Sequence, residues 1–297
     1  MTWIDQFIIF ILLHDKFMNL KVDILSPSPA FEPFIEYYKY VEGYIGGLYK
    51  IVPAINQELY FHLNSGNFIF SSPGLYSLKH PLIHFMGLHE YDQKVFSHIS
   101  GKKLTKGFAI VFKPNGITKL FKLSHSEIHR HAIDANNLFK VYTEEIWHEL
   151  STASHFLEMR TRLETFLGRY LGGDNTTIPY INKILNLIRL KKGMLSIGEL
   201  CVEFHISPRT LQRKFKDEIG MPPKEYMQIA RPSHALTLLQ LNQNESLTEL
   251  SYLSGYYDQS HFIRDIRKMC GFTPGNLVKR GELEKCDNRI YMGVSED

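Results

Sequence analysis

The chain has 297 residues, room for two domains, and its 44% apolar content is that of an ordinary globular protein. Its net charge of +3 is uneven: residues 178–280 carry 15 Lys+Arg against 9 Asp+Glu, residues 1–177 carry 17 of each, and residues 281–297 carry 2 against 5. A positive excess confined to one segment is the footprint of a nucleic-acid-binding module joined to a neutral domain with another task. The three cysteines, Cys201, Cys270 and Cys286, show neither disulfide nor metal spacing, which fits a reducing cytoplasm. Cys201 and Cys270 fall at buried positions of helices in this reading, and Cys286 lies in a tail.

The first apolar run, "FIIFILL" at residues 7–13, is seven residues long, whereas a membrane span needs about 20. Asp5 precedes it and His14, Asp15 and Lys16 follow, where a secretory signal is expected to have a basic start and small residues at a cleavage site. A more ordinary segment opens at Met18. Residues 1–17 are therefore either an extension upstream of the true start or a short helical or disordered appendage. From residue 20 to 115, β-rich runs ("GLYKIVPA", "ELYFHL", "NFIFSS", "PLIHFMGL", "GFAIVFKP") alternate with turn signals ("NSGN", "SSPG", "KPNG"), the pattern of a β-sandwich or barrel. The period then changes. "ITKLFKLSHSEIH" and residues 143–171 read as helices. Phe156, Met159, Leu163, Phe166 and Tyr170 recur at three and four, as do Ile146, Leu150, Ala153 and Leu157. Such stripes serve either a core or a subunit interface. "GGDNTTIP" at 172–179 is the linker candidate, and a new helix is expected from Pro179 to Leu190.

"LSIGELCVEF" reads as a short helix with Leu195, Ile197, Leu200, Cys201 and Phe204 as its apolar set. Only His205 and Ile206 separate it from "SPRTLQRKFKDEIGMPP". There Ser207 is a good N-cap, Pro208 suits a first helical turn, and Gly220 and Pro222 stop the helix. Leu211 and Phe215 share one face. Arg209, Gln212, Arg213 and Lys216 fall on the others, and Arg and Gln are side chains that hydrogen-bond guanine and adenine edges. Two helices joined by a tight turn, the second basic, make a helix-turn-helix. The pattern repeats at an offset of 51 residues in "YDQSHFIRDIRKMCGFTP". Asp258 matches Ser207, Phe262 Leu211, Arg264 Arg213, Ile266 Phe215, Arg267 Lys216, Gly271 Gly220 and Pro274 Pro223. A short helix, "LTELSYLSGYY", again precedes it, with Gly255 at the turn. One such pattern is weak evidence; two in tandem are specific.

This C-terminal third resembles the AraC/XylS family of bacterial transcription regulators, through "SPRTLQRKFKDEIGMPPKEY", through Ala235, Leu238 and Leu239, and through "LSGYYDQSHFIRDIRKMCGFTP". The resemblance implies an α+β two-domain protein: a cupin-like β-barrel with helices over 18–172 for sensing or dimerisation, and an all-α tandem helix-turn-helix domain over 178–280. The strands followed by "GFAIVFKPNGITKLFKL" and a helix pair are similar to an uncharacterised type of sensory domain in that family. Carried over by position, the first recognition helix would read bases through Arg209, Gln212 and Arg213, and the second through Gln259, Ser260, Ile263 and Arg264. Lys216, Arg267 and Lys268 would hold phosphates, which position without specifying. The implied partners are double-stranded DNA, RNA polymerase, a small-molecule effector of unknown identity and a second copy of the chain, in the cytoplasm and away from membranes.

Three departures from the family pattern matter. Ile266 replaces a usual Phe, and Ile263 is apolar at a base-facing position. Pro232 lies inside the helix, about Pro223 to Leu241, that should link the two units. It removes one hydrogen bond and clashes with the carbonyl of Gln228, so a kink near 228–231 or two shorter helices are expected. No catalytic, cofactor or metal site is expected. His125, His129 and His131 cluster near Asp134 but follow a helix-like segment, with no Glu after the His-x-His at short range. Residues 1–177 hold no cysteine, which argues against the alternative of a DNA-repair enzyme sharing this helix pair; a metal-dependent barrel enzyme is the other alternative.

Overall fold

In a computed structural model, the structure describes residues 21–51, 55–64, 68–72, 74–77, 83–86, 95–123, 125, 133–134, 142–171, 180–241, 245–280, 284–286 and 289–293. The 1–17 segment, the linker at 172–179, His129 and His131 lie outside the described residues.

The N-terminal unit is built on a ten-stranded sheet: β1 (Lys21–Leu25), β2 (Ile35–Ile51), β3 (Gln57–His62), β4 (Phe68–Ser72), β5 (Gly74–Ser77), β6 (Ile83–Met86), β7 (Val95–Phe112), β8 (Ile133–Asp134), β9 (Glu284–Cys286) and β10 (Arg289–Gly293). Its main path runs β8-β6-β3-β7-β2-β10-β9, and β1 adds to β2 and β4 to β7. The runs "GLYKIVPA" and "GFAIVFKP" are not separate short strands. They are the ends of β2, 17 residues, and β7, 18 residues, two long antiparallel strands whose register shifts at Ile35/Tyr37 and at Ile45/Gly47. The first shift leaves Glu36 as the extra residue of a bulge, a device that re-aims a side chain.

The period of two sorts residues onto two faces. Tyr38, Leu59, Phe61, Phe108, Ile110 and Phe112 pack against two helices, α2 (Thr143–Ser151) and α3 (Phe156–Leu167), through Ile146, Leu150, Met159, Leu163 and Phe166. The helical stripes are thus core, with Leu157 left 47% exposed. The helix expected through "ITKLFKLSHSEIH" is shorter: α1 spans Gly116–Phe121, and Lys122, in the left-handed region at φ 54°, ends it.

The opposite face carries Lys39, Glu58 and Tyr60. Lys39 Nζ donates to Glu58 Oε1 at 3.0 Å with both side chains only 1% exposed, and it lies 5.8 Å from the Tyr60 ring centroid. Two buried charges hold together because neither can be left without the other.

The C-terminal unit is all helical: α4 (Tyr180–Leu190), α5 (Ile197–Glu203), α6 (Pro208–Glu218), α7 (Pro223–Leu241), α8 (Leu247–Leu253), α9 (Gln259–Cys270) and α10 (Pro274–Arg280). One core joins them, from Ile181 and Ile188 of α4 to Leu277 of α10. The α+β class expected from sequence stands, a sheet unit with helices followed by an all-helical one. Two expectations are corrected. The α7 helix is not two shorter helices: it runs unbroken for 19 residues with Pro232 inside it. Tyr226, Ile229, Ala235, Leu236 and Leu239 are buried on both sides of the proline. At about 1.5–3 kcal/mol for each large apolar side chain, their burial outweighs the ~3 kcal/mol of a mid-helix proline. Residues beyond 280 are not simply a tail: β9 and β10 form a hairpin, and β10 pairs with β2 through Tyr291↔Ile51. Cys286 ends β9, Cys270 is buried and Cys201 is only half-buried.

Three stability experiments follow. Lys39→Met should cost about 3–5 kcal/mol, because it removes the ammonium paired with a buried carboxylate; Lys39→Met combined with Glu58→Leu should recover most of that, read by denaturant unfolding. Gly255 has φ 76°, and a Cβ there would lie 1.4 Å from Met194 Sδ. Gly255→Ala should therefore destabilise by about 2 kcal/mol or more. His205, in the first helix-turn-helix, is exposed at φ 51°. His205→Gly should instead stabilise the protein, by roughly 0.5–1 kcal/mol.

Candidate nucleic-acid interface

The two helix-turn-helix units are built alike, residue by residue. Each first helix begins with a capping box: Ser196 with Glu199 at α5 and Ser246 with Glu249 at α8. These Ser-x-x-Glu signals stand in the sequence itself. Each recognition helix has a side-chain cap, Ser207 accepting from Thr210 N at 3.1 Å and Asp258 accepting from His261 N at 2.7 Å. The matched capping boxes are 50 residues apart and the matched recognition caps 51. The extra residue falls in the second turn, where Tyr257 is 91% exposed.

On α6, Leu211 and Phe215 are fully buried, and Phe215 meets Tyr226 of α7 edge to face at 5.9 Å between centroids. Arg209, Gln212, Arg213 and Lys216 are all exposed, at i, i+3, i+4 and i+7. That spacing puts them on one stripe of the helix. Lys214, the remaining cation, is turned away: its Nζ lies 5.1 Å from the Tyr180 ring and 4.0 Å from Glu218. On α9, Phe262, Ile266, Met269 and Cys270 are buried. Ile266, in place of a Phe, is accommodated at 0% exposure. Ser260, Arg264, Arg267 and Lys268 are exposed, whereas Gln259 and Ile263 are half-buried. Ile263 packs against the core and Gln259 Oε1 accepts from Thr248 Oγ1 at 3.4 Å. The second helix thus offers fewer free hydrogen-bonding groups than the first.

Arg231 of α7 braces the two units, donating to Gly193 O at 3.3 Å while its guanidinium sits 5.7 Å from the Tyr256 ring. The N-terminal unit holds the first unit directly. Glu36, at the β2 bulge, accepts from Arg189 of α4 at 2.7 Å. Lys119 of α1 lies 3.5 Å from Glu218 at the end of α6. His125 packs on Gly220 of the α6–α7 turn, where φ is 84° and a Cβ would lie 2.8 Å from His125 Nδ1. Burial depresses the His125 pKa, partly opposed by a hydrogen bond to the Glu218 backbone. Among the described residues no group of His, Cys, Asp and Glu could hold a metal, and no helix is long and apolar enough to cross a membrane.

Comparison with known proteins agrees with this geometry. A helix-turn-helix domain profile matches residues 200–280. The F1 operon positive regulatory protein of Yersinia pestis is 33% identical over 100 residues, 34% of this chain and 31% of that protein. The HTH-type transcriptional activator RhaS of Klebsiella pneumoniae is 30% identical over 79 residues, 27% of this chain and 28% of that protein. The matches thus span about a third of the length of these relatives. The fold of ToxT from Vibrio cholerae O395, solved bound to (E)-4-(8-methylnaphthalen-1-yl)but-3-enoic acid, superimposes with a TM-score of 0.50 at 13% identity, over 82% of this chain and 98% of that one. The C-terminal unit is a tandem helix-turn-helix domain. Over residues 200–280 it is similar to that helix-turn-helix family, and over about a third of its length the chain resembles these two regulators.

Burial drives the His234 pKa on α7 down to about 4, with Lys192 adding to the effect. An unfolded His titrates near 6.5, so below that pH the unfolded chain takes up a proton that the folded chain refuses. Stability should therefore be greatest above pH ~6.5 and decline as pH falls towards ~4. Thermal unfolding across that window checks this, and His234→Gln should flatten the profile.

Proposed function

We propose that the protein is a sequence-specific DNA-binding transcription regulator whose two recognition helices enter successive major grooves on one face of the duplex, about one turn (~34 Å) apart. The observation that carries this reading is the exposed stripe of Arg209, Gln212, Arg213 and Lys216 on a helix anchored by Leu211 and Phe215. Its match on α9 is Ser260, Ile263, Arg264 and Arg267. Arg209, Gln212 and Arg213 read bases; Gln259, Ser260, Ile263 and Arg264 do so in the second unit. Lys216, Arg267 and Lys268 hold the backbone. Residues 18–172 form the sensory or dimerising domain and 178–280 the DNA-binding domain. The protein acts by binding, without catalysis, with RNA polymerase, a second copy of the chain and a small effector as further partners. ToxT carries a bound organic acid in the solved structure, which supports an effector-binding task for the N-terminal domain here.

The test separates reading from holding. Arg213→Ala should cost about 1–3 kcal/mol on a selected site and relax preference at one base pair. Lys216→Ala should weaken selected and random DNA alike and lower the salt slope by about one. Arg264→Ala should lose less specificity than Arg213→Ala, since Ile263 and Gln259 are drawn towards the core. Equal losses for Arg213→Ala on both DNAs would show that it only holds phosphate. A folded 178–280 fragment with no salt-dependent DNA binding would overturn the proposal.

A further inference from the structure

A cavity of about 230 Å³ lies where the two units meet, outside the sheet. Its walls come from the segment before β2, the β7–α1 corner, α4 and α7. Pro33, Ile55 and Leu185 make it apolar, and Tyr226 of α7 contributes to its lining. Glu32, Glu36, Lys113 and Arg189 supply two carboxylates and two cations. Glu36 and Arg189 are already paired across the cleft, and Lys113 Nζ donates to the Glu32 carbonyl. The cavity also holds an unmet demand: Asn182 lines it, and its Oδ1 is buried with no hydrogen-bond partner. Each such buried acceptor calls for a donor.

We propose that this cleft binds a small zwitterionic metabolite of amino-acid size, its ammonium on Asn182 Oδ1 and the Glu32 carboxylate and its carboxylate on Lys113. Size and charge both point there. The volume is below the ~300–1,000 Å³ of sites for drug-sized ligands. An unpartnered buried acceptor suits an N–H cation, and the Lys113 ammonium, held beside Glu32, suits the carboxylate on the same carbon, with the ligand's side chain lying on Ile55 and Leu185. A ligand with only one charge would leave the other group desolvated without a partner. The site spans both units, and Tyr226 meets Phe215, the buried anchor of the first recognition helix, edge to face. Occupancy would therefore set the position of α6 relative to the N-terminal unit. The inference rests on the regulator reading for its consequence, though not for the binding itself.

The experiment uses the full chain. Each standard free amino acid is added at millimolar concentration and thermal unfolding is followed, with titration calorimetry on those that shift it. At least one should raise the midpoint by about 4 °C or more at saturation. The corresponding amine without the carboxylate, and the acid without the amine, should not. Asn182→Leu, which removes the acceptor, should weaken binding at least tenfold. Should that variant fold poorly, Lys113→Gln at the more exposed wall should give the same loss with an unchanged unliganded midpoint. The proposal falls if no free amino acid shifts unfolding, if the single-charge analogues bind equally well, or if binding survives both substitutions. Anisotropy of the unliganded protein on DNA tests the regulator reading separately, so either result can fail alone.

Discussion

Both helix-turn-helix units hang on one apolar core, and that shared burial is the constraint from which the rest of the C-terminal unit follows. Leu211 and Phe215 of the first recognition helix and Phe262 and Ile266 of the second are all at 0% exposure in the same cluster as Tyr226, Ala235, Leu236 and Leu239 of α7. At about 1.5–3 kcal/mol for each large side chain, this core is strong enough to fix both helices in rotation about their axes. Once the rotation is fixed, the exposed stripe is fixed too. Arg209, Gln212, Arg213 and Lys216 need no further device to face outwards. The same core keeps α7 continuous through Pro232, since a break there would expose apolar surface on both sides of the proline.

What the sequence makes legible here is what depends on local periodicity. The recognition helices, their caps, the turn glycines and the helix from Pro223 to Leu241 are all written in spacings of three and four and in Ser, Asp, Gly and Pro at helix ends. The stripe at Phe156, Met159, Leu163 and Phe166 is equally plain as a helix face, but periodicity cannot say what covers it; the sheet does. The features that escaped reading depend on pairing across distance. The β2 bulge at Glu36 is a mismatch of register with β7, invisible in either strand alone. Lys39 and Glu58 are two ordinary surface-type residues until β2 and β3 flank β7 and bring them to 3.0 Å. The β9–β10 hairpin follows an all-helical unit, where a short polar segment reads as a tail.

The two recognition helices are matched in frame but not in environment. The extra Tyr257 lengthens the second turn by one residue, and Ile263 and Gln259 lean towards the core and α8. The positions that correspond on α6, Gln212 and Pro208, are exposed. A repeat can keep its buried half constant, because both copies share α7, while its outward half diverges at little cost in stability. Divergence of the exposed stripe changes what each unit can contact without disturbing how it is held.

Strand β2 ties the two units together at both of its ends. At its start, the bulge turns Glu36 onto Arg189 of α4, beside the contacts of Lys119 and His125 with the end of α6 and its following turn. At its far end, Ile51 pairs with Tyr291 of β10, so the chain leaving α10 returns to the same strand. The helical unit is thus held near its first recognition helix by side chains and beyond its second by backbone pairing. The first attachment is made of exposed or half-exposed ion pairs, each worth on the order of 1 kcal/mol or less. It is weak enough to be remade when a neighbouring group changes. The unit it holds is rigid, because Phe215, Tyr226 and the α7 core move as one body. A small rearrangement around Glu36 and Arg189 would therefore reach Arg209, Gln212 and Arg213 as a displacement of the whole α6 helix rather than as a loosening of its surface.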